Sequence, residues 1–362
     1  MDKGKILLFG YYGFSNLGDE LFISYYLDLL KQRFSHRRLI VLVNGPARYE
    51  AGDGVEYVSR WNLKRLAGLL AKGDLLLGGG GSLFQDATSK RSLLYYLALL
   101  RLAQFKKVRI ILAGQGLGPL SPLGARLTAK VLNKVDLITC RDEASVKHLF
   151  QINVYRPAIH LGVDPLWGLR GLNLPWQKLL PPAPSKAIIG LFLRKEKKER
   201  YLSVKEELVS MLRLNFMGVR AMALAPQDQL SLRDQTGNVY LSSTLEIGTL
   251  PQMIAACQGL TLVISEKLHG LLLAARLGIP GIGLGGDPKI KEFCHTMGYP
   301  HFTWEELSYE ETLTGLFLEE VMQIIKNLPA VQERLVATVK RLEKKARQER
   351  IWLVRAITEL LK

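Results

Sequence analysis

The chain has 362 residues, which suits two domains of ordinary size. Its 49 Lys and Arg against 33 Asp and Glu leave a formal charge of +16, which calls for an acidic partner, substrate or surface without choosing among them. The three cysteines, Cys140, Cys257 and Cys294, are odd in number and widely spaced, which argues against a disulfide framework or a zinc site and favours a reducing compartment.

Residues 1–4 run straight into an apolar strand over Ile6–Phe9, a pattern that predicts no signal peptide. The longest apolar stretches, residues 92–105 and 268–286, are interrupted by Arg101 and Arg276 and do not resemble membrane spans. A helix is predicted over 19–33, a strand over Leu39–Val43, a helix over 63–72 and a strand over 74–77. A helix over 92–105, a strand over 108–113, a helix over 123–133 and a strand over Leu137–Cys140 follow. This alternation predicts a parallel, doubly wound sheet.

Residues 174–186 contain Pro175, Pro181, Pro182 and Pro184, and read as an interdomain linker. The pattern then restarts. Strands are predicted over 187–193, 219–224, 261–265 and 279–284, and helices over 203–215 and 249–257. From about residue 319 the chain reads as a basic helical tail with Arg334, Lys340, Arg341, Lys344, Lys345, Arg347, Arg350 and Arg355. The expected domains are 1–175, 186–318 and the tail 319–362.

Four glycine-bearing or capped loops follow strands of the first half. They are Gly10-Tyr-Tyr-Gly-Phe-Ser-Asn-Leu-Gly-Asp-Glu20, Gly78-Gly-Gly-Gly-Ser-Leu-Phe-Gln-Asp86, Gly114-Gln-Gly-Leu-Gly-Pro119 and Thr139-Cys-Arg-Asp-Glu-Ala-Ser145. In an open parallel sheet ligands bind at the carboxyl ends of the strands, where such loops gather. No Lys-Ser or Lys-Thr follows the glycines, so none is a P-loop, and the first does not spell Gly-x-Gly-x-x-Gly. In the second half His269 falls in the first turn of a helix after the strand 261–265. Free backbone N–H groups there favour anions. Asp287-Pro288-Lys289 opens another helix after the next strand. Adjacent parallel strands would bring Lys267, His269 and Lys289 to one rim, an arrangement suited to a small, highly anionic substrate.

Taken in order, these pieces resemble the polysaccharide pyruvyl transferase family, in particular its bacterial cell-wall, CsaB-like branch. The resemblance rests on the four loops, Arg141-Asp142 with Ser145, Asp164-Pro165, Lys267-Leu268-His269 and Asp287-Pro288-Lys289. It implies an α/β fold of two Rossmann-like domains facing a cleft, similar to GT-B glycosyltransferases, with a C-terminal helix returning to the first domain. It further implies transfer of a pyruvyl group from phosphoenolpyruvate to a sugar as a cyclic ketal. The acceptor would resemble the β-N-acetylmannosamine of a lipid-linked cell-wall polymer precursor, whose product anchors surface-layer proteins. By position, His269 matches the family's essential histidine, and Arg141 and Lys289 match phosphoenolpyruvate-holding residues. Lys267 stands where relatives often carry Arg, which keeps the charge but loses the bidentate fork.

His269 is then the candidate general acid, and Arg141, Lys289 and Lys267 bind the donor. Asn16, Asp19, Gln85, Asp86 and Gln115 are candidates for the acceptor side. Asp19 and Asp86 also suit helix N-caps, and Asp164 and Asp287, each before a proline, suit turns. His36, His148, His160, His295 and His301 are scattered. No metal and no cofactor are expected. The protein is expected to be cytoplasmic, and the basic tail and the Lys195, Lys197, Lys198 and Arg200 cluster would suit peripheral contact with anionic lipid at the inner face of the cell membrane. Two rivals remain: a nucleotide-sugar glycosyltransferase, with Glu266 as a possible ribose-binding carboxylate, and a nucleic-acid binder. For the second, aromatic residues are not interleaved with the basic ones, so no nucleic-acid partner is expected.

Overall fold

The structure, a computed structural model, describes residues 4–49, 54–172, 186–195, 199–228, 232–233, 239–241, 244–309 and 311–362. The proline-rich linker lies almost wholly outside the described residues, as do Lys197 and Lys198 of the basic cluster. The chain divides into two compact units. The first comprises Met1–Phe14, Asp19–Arg170 and Leu342–Lys362, and the second comprises Ser15–Gly18 and Gly171–Arg341.

The first unit holds a seven-stranded sheet of β1 (Ile6–Phe9), β2 (Leu39–Val43), β3 (Val55–Ser59), β4 (Leu75–Phe84), β5 (Arg109–Leu117), β6 (Leu137–Cys140) and β7 (Ala158–Leu161). The strands are parallel, in the order β3-β2-β1-β4-β5-β6-β7. The order reverses between β1 and β4, the point where doubly wound sheets open a crevice. Strands β1 and β2 are buried at every position because helices cover both faces. The helices are α1 (Leu17–Phe34), α2 (Leu63–Leu69), α3 (Lys90–Phe105), α4 (Pro122–Leu132) and α5 (Glu143–Gln151). Side-chain caps begin four of them: Asn62, Ser89, Ser121 and Asp142 accept from the N–H three residues on.

The glycine runs correct the sequence reading. Strand β4 continues through Gly78–Gly81, and β5 continues through Gly114-Gln115-Gly116. These glycines let large side chains pack onto the sheet. A β-carbon at Gly79 would fall 2.5 Å from the Tyr12 hydroxyl, and one at Gly80 would fall 2.6 Å from the Phe22 ring. Strands β3 and β7 and helix α5 lie outside the predicted elements, and all three are short.

The second unit repeats the winding. Its strands are β8 (Ile188–Phe192), β9 (Gly218–Ala223), β12 (Leu245–Glu246), β13 (Leu262–Ser265), β14 (Gly281–Leu284) and β15 (His301–Phe302), parallel in the order β12-β9-β8-β13-β14-β15. Strands β10 (Leu232–Arg233) and β11 (Val239–Leu241) form a separate antiparallel pair. The helices are α6 (Glu199–Asn215), α7 (Leu250–Cys257), α8 (Leu268–Arg276), α9 (Pro288–Met297), α10 (Leu318–Lys326) and α11 (Leu328–Leu360). Thr249 and Gln252 form a capping box on α7.

The last part of α11 belongs to the first unit, which is the expected returning helix. Trp352 stacks on His160 at 4.2 Å, and the Glu349 carboxylate accepts from Val163 N at 2.8 Å. Arg350, read as part of a basic face, pairs with Asp28 at 2.8 Å. Among the described residues no helix is long and apolar enough to cross a membrane.

Candidate active site

The sheet of the second unit changes winding direction between β8 and β13. Arg194 leaves the carboxyl end of β8, and Glu266 to His269 leave that of β13. Strand β14, paired with β13, delivers Asp287 to Lys289. Lys267 is the N-cap of α8 and His269 its second residue, while Asp287 caps α9 by accepting from Lys289 N at 3.3 Å. Two helix N-termini thus open onto the edge that carries Lys267, His269 and Lys289. Their orphan N–H groups favour an anion.

The charges on this edge are already arranged in pairs. Lys267 Nζ lies 2.6 Å from Asp228 Oδ2, and Asp287 Oδ2 lies 3.2 Å from both Lys289 Nζ and Arg194 Nη2. Burial alone would raise the Asp287 carboxyl, but Lys289 and Arg194 outweigh it and hold it below the ordinary carboxylate range. Glu266 is buried and fully engaged. Its Oε1 accepts from Trp304 Nε1 at 2.6 Å, and its Oε2 accepts from Arg194 N at 2.7 Å and Lys205 Nζ at 2.9 Å. Lys205 is completely buried and also faces the Trp304 ring at 4.7 Å. The segment Ser15–Gly18, which holds Asn16, packs in this unit too. Leu17 N donates to Leu224 O at 2.8 Å, and a β-carbon at Gly18 would fall 1.7 Å from His269 Nδ1. A cavity of about 510 Å³ beside the start of α9 is lined by Gly286, Pro288, Lys291, His295, Tyr299 and Thr303 among others, and its lining does not include His269.

In the first unit Arg141 follows β6 and is buried. Its Nη1 donates to Asp164 Oδ2 at 3.3 Å and its Nη2 to Ser82 Oγ at 3.1 Å. Asp164 in turn accepts from Leu166 N at 3.0 Å, the turn role expected before a proline. Asp19 is buried, with Oδ1 3.2 Å from where a Gly81 β-carbon would sit. Gln115 is wholly buried, and its amide donates to the carbonyls of Gly78, Gly80 and Ala113. Asp86 receives the hydroxyl and the N–H of Ser121, and the hydroxyl bond holds its carboxyl below the usual range. Gln85 bonds to Thr88 across one turn. The structure therefore gives Gln115, Asp86 and Gln85 clear scaffold partners.

The family model described as polysaccharide pyruvyl transferase matches residues 16–288. The chain belongs to the polysaccharide pyruvyl transferase family. Among curated proteins no relative matches the sequence. Solved structures similar to this chain share its fold at low identity. A UDP-forming α,α-trehalose-phosphate synthase from Burkholderia vietnamiensis is 11% identical, with a TM-score of 0.59 over 98% of this chain and 100% of that one. The wall teichoic acid polymerase TagF is 12% identical, with 0.55 over 100% and 91%. HepE of Anabaena, solved with UDP-glucose, is 12% identical, with 0.53 over 98% and 99%. Two parallel-sheet units with these neighbours make the fold of the chain GT-B-like, as the sequence resemblance implied.

The family match covers Asn16, Arg141, Lys267 and His269, and Lys289 lies one residue beyond it. Sequence reasoning missed Arg194, Lys205, Asp228 and Trp304. Only Arg194 left a signal, a cation directly after a strand that restarts the winding. The others reach the edge from other elements, and no local pattern announces them.

Proposed function

We propose that the protein transfers the pyruvyl group of phosphoenolpyruvate to two hydroxyls of one sugar, forming a cyclic ketal. The reading is carried by one observation: Lys267, His269 and Lys289 leave adjacent parallel strands at two helix N-termini, beside the winding switch of the second unit. His269 is the general acid. It gives a proton to the methylene carbon, and oxocarbenium character develops at the ketal carbon. One sugar hydroxyl adds there, inorganic phosphate leaves, and the second hydroxyl closes the ring. The proton from one hydroxyl replaces the one that His269 gave, and the other leaves with phosphate. Lys267 and Lys289 bind the donor's carboxylate and phosphate, while Arg141, whose terminal nitrogens already serve Asp164 and Ser82, is kept as a donor-binding residue on the family resemblance alone. Asp19 and Asn16 are the acceptor-side residues we favour. Asp86, Gln85 and Gln115 would act there by shaping the strands and loops. No cofactor is needed for this chemistry.

The acceptor we propose is β-N-acetylmannosamine in a lipid-linked wall-polymer precursor, met at the cytoplasmic face of the membrane. The basic tail supports that setting, since each cation near an anionic surface contributes ~1 kcal/mol. Liposome binding that ignores anionic lipid content would count against it. A nucleotide-sugar transferase is the competing reading, supported by the fold of the neighbours. It is disfavoured by Glu266, whose two oxygens already serve Trp304, Lys205 and Arg194.

The deciding experiment measures phosphate release from phosphoenolpyruvate with a synthetic lipid-linked N-acetylmannosaminyl disaccharide. Release should require the acceptor and yield a product heavier by one pyruvyl ketal. His269→Ala should lose about 10²–10⁴-fold in turnover with the fold intact. Normal turnover in that variant removes His269 from the acid role. Thermal protection by a nucleotide sugar and not by phosphoenolpyruvate would favour the glycosyltransferase.

A further inference from the structure

The carboxyl ends of β1, β2 and β3 lie side by side in the first unit, and they carry an aromatic cluster around one buried cation. Arg60, just past β3, is 2% exposed, yet no acidic side chain pairs with it among the described residues. Its Nη1 donates to Gly10 O at 3.2 Å and to the Tyr96 hydroxyl at 3.3 Å, while its Nε has no hydrogen-bond partner among the described residues. Four rings surround it instead. The guanidinium carbon lies 4.1 Å from the Tyr95 centroid, 5.0 Å from Tyr96, 5.1 Å from Trp61 and 5.2 Å from Phe14. Phe14 in turn stacks on Tyr11 at 4.2 Å.

A buried guanidinium without a carboxylate is costly, and ring faces offset only part of the cost. What it secures is geometry. Trp61 sits over this cation and beside Tyr95 at 5.4 Å, and its Nε1 donates to Asn44 Oδ1 at 2.9 Å, so the plane of the indole is fixed. Even so, Trp61 is 57% exposed. Asn44 follows β2 and Gly10–Phe14 follows β1, so this rigid indole stands on the ligand-binding edge of the sheet. A held aromatic ring is a preorganised surface that loses little entropy when a ligand arrives.

We infer that Trp61, held by Arg60 and Asn44, is a stacking platform for a pyranose ring of the acceptor. A sugar ring presents a flat face of C–H bonds edged by hydroxyls. The indole takes the C–H face, and the polar groups nearby, Asn44 and Tyr11, meet the rim. Arg60, the cation beneath the indole, is itself covered by rings. This assignment rests on the reading that the acceptor is a sugar, and it places one subsite of that acceptor.

The test is a titration of the whole protein with the N-acetylmannosaminyl disaccharide, without donor, for wild type, Trp61→Ala and Trp61→Phe. Isothermal calorimetry reads the binding, and phosphate release from phosphoenolpyruvate is assayed on the same preparations. Trp61→Ala should weaken binding about tenfold, as loss of one good aromatic contact does, and Trp61→Phe should recover most of it. Equal dissociation constants in wild type and Trp61→Ala, or no binding by wild type, overturn the platform. So does a matching rise in the KM for phosphoenolpyruvate in Trp61→Ala, since that would be a general disturbance of the unit. Disaccharide binding that depends on Trp61 without any release of phosphate keeps the platform and overturns the pyruvyl-donor reading.

Discussion

Lys267 Nζ and Asp228 Oδ2 are 2.6 Å apart, and both side chains are largely withdrawn from water. Lys267 is therefore one half of an ion pair. A donor anion reaching it must share the ammonium with a carboxylate. Breaking a buried pair by removing one partner costs about 3–5 kcal/mol, because the remaining charge is stranded. With the Lys267 side chain still 18% exposed, Asp228→Asn should fall at the low end of that range. Urea unfolding at pH 7 reads it. A change under about 1 kcal/mol would mean that water screens the pair as it does at surfaces.

Gly18 leaves room for the imidazole of His269, since a β-carbon there would come within 1.7 Å of Nδ1. Gly18→Ala should displace the ring and little else. A displacement of about 1 Å at a reacting group costs on the order of 10²-fold in rate. Phosphate release should drop by about that factor with the melting temperature near wild type. Full activity in Gly18→Ala would show that the ring's position is not critical.

Glu266 separates the two transferase readings by stability and by ligand response. It is the counter-ion of Lys205, which is completely buried. Glu266→Gln should destabilise the protein by ~3–5 kcal/mol. Wild type should show no thermal shift with a nucleotide sugar. A shift in wild type that vanishes in a stably folded Glu266→Gln protein would restore the ribose-binding role.

Glu349 gives a pH signature. Burial pushes its carboxyl up to about 7, with Asp164 adding repulsion, against hydrogen bonds from Val163 N and Thr139 that pull it down. Tyr25 and Cys140 also face this charge. Because the folded-state value lies above the unfolded one, this group's stabilisation is complete below its unfolded value and is lost as pH rises through about 7. A shift of that size corresponds to ~3 kcal/mol. Glu349→Gln keeps an acceptor for Val163 N and removes the titration. Denaturant unfolding at pH 5 and pH 8 should show a smaller drop in stability for the variant than for wild type. An equal drop in both proteins would show that Glu349 does not titrate in this window.

The winding of both units was legible because buried parallel strands are continuous apolar runs and helices carry caps. The His269 junction was legible for the same reason: a β-branched run ends at Ser265 and a helical run starts at Leu268. The glycine runs misled, since a sequence cannot tell a glycine that opens a loop from one that admits Tyr12 or Phe22 against a strand. The polar partners were invisible for a different reason. Lys205 and Trp304 meet Glu266 from 61 and 38 residues away, and such distant pairings leave no periodic trace. Arg60 carries no signal in the sequence, because the strand before it is short. Only the fold shows that it is enclosed by rings.

The two sheets share one winding order, and each unit has its own apolar core, one built on residues such as Leu7, Ile40 and Leu76 and the other on Ile189, Leu191 and Ile264. Substitutions at the strand ends of one unit leave the core of the other untouched. Recognition on the two edges is therefore free to diverge independently under selection. An ancestor with this scaffold could trade one small-molecule partner for another without relearning how to fold.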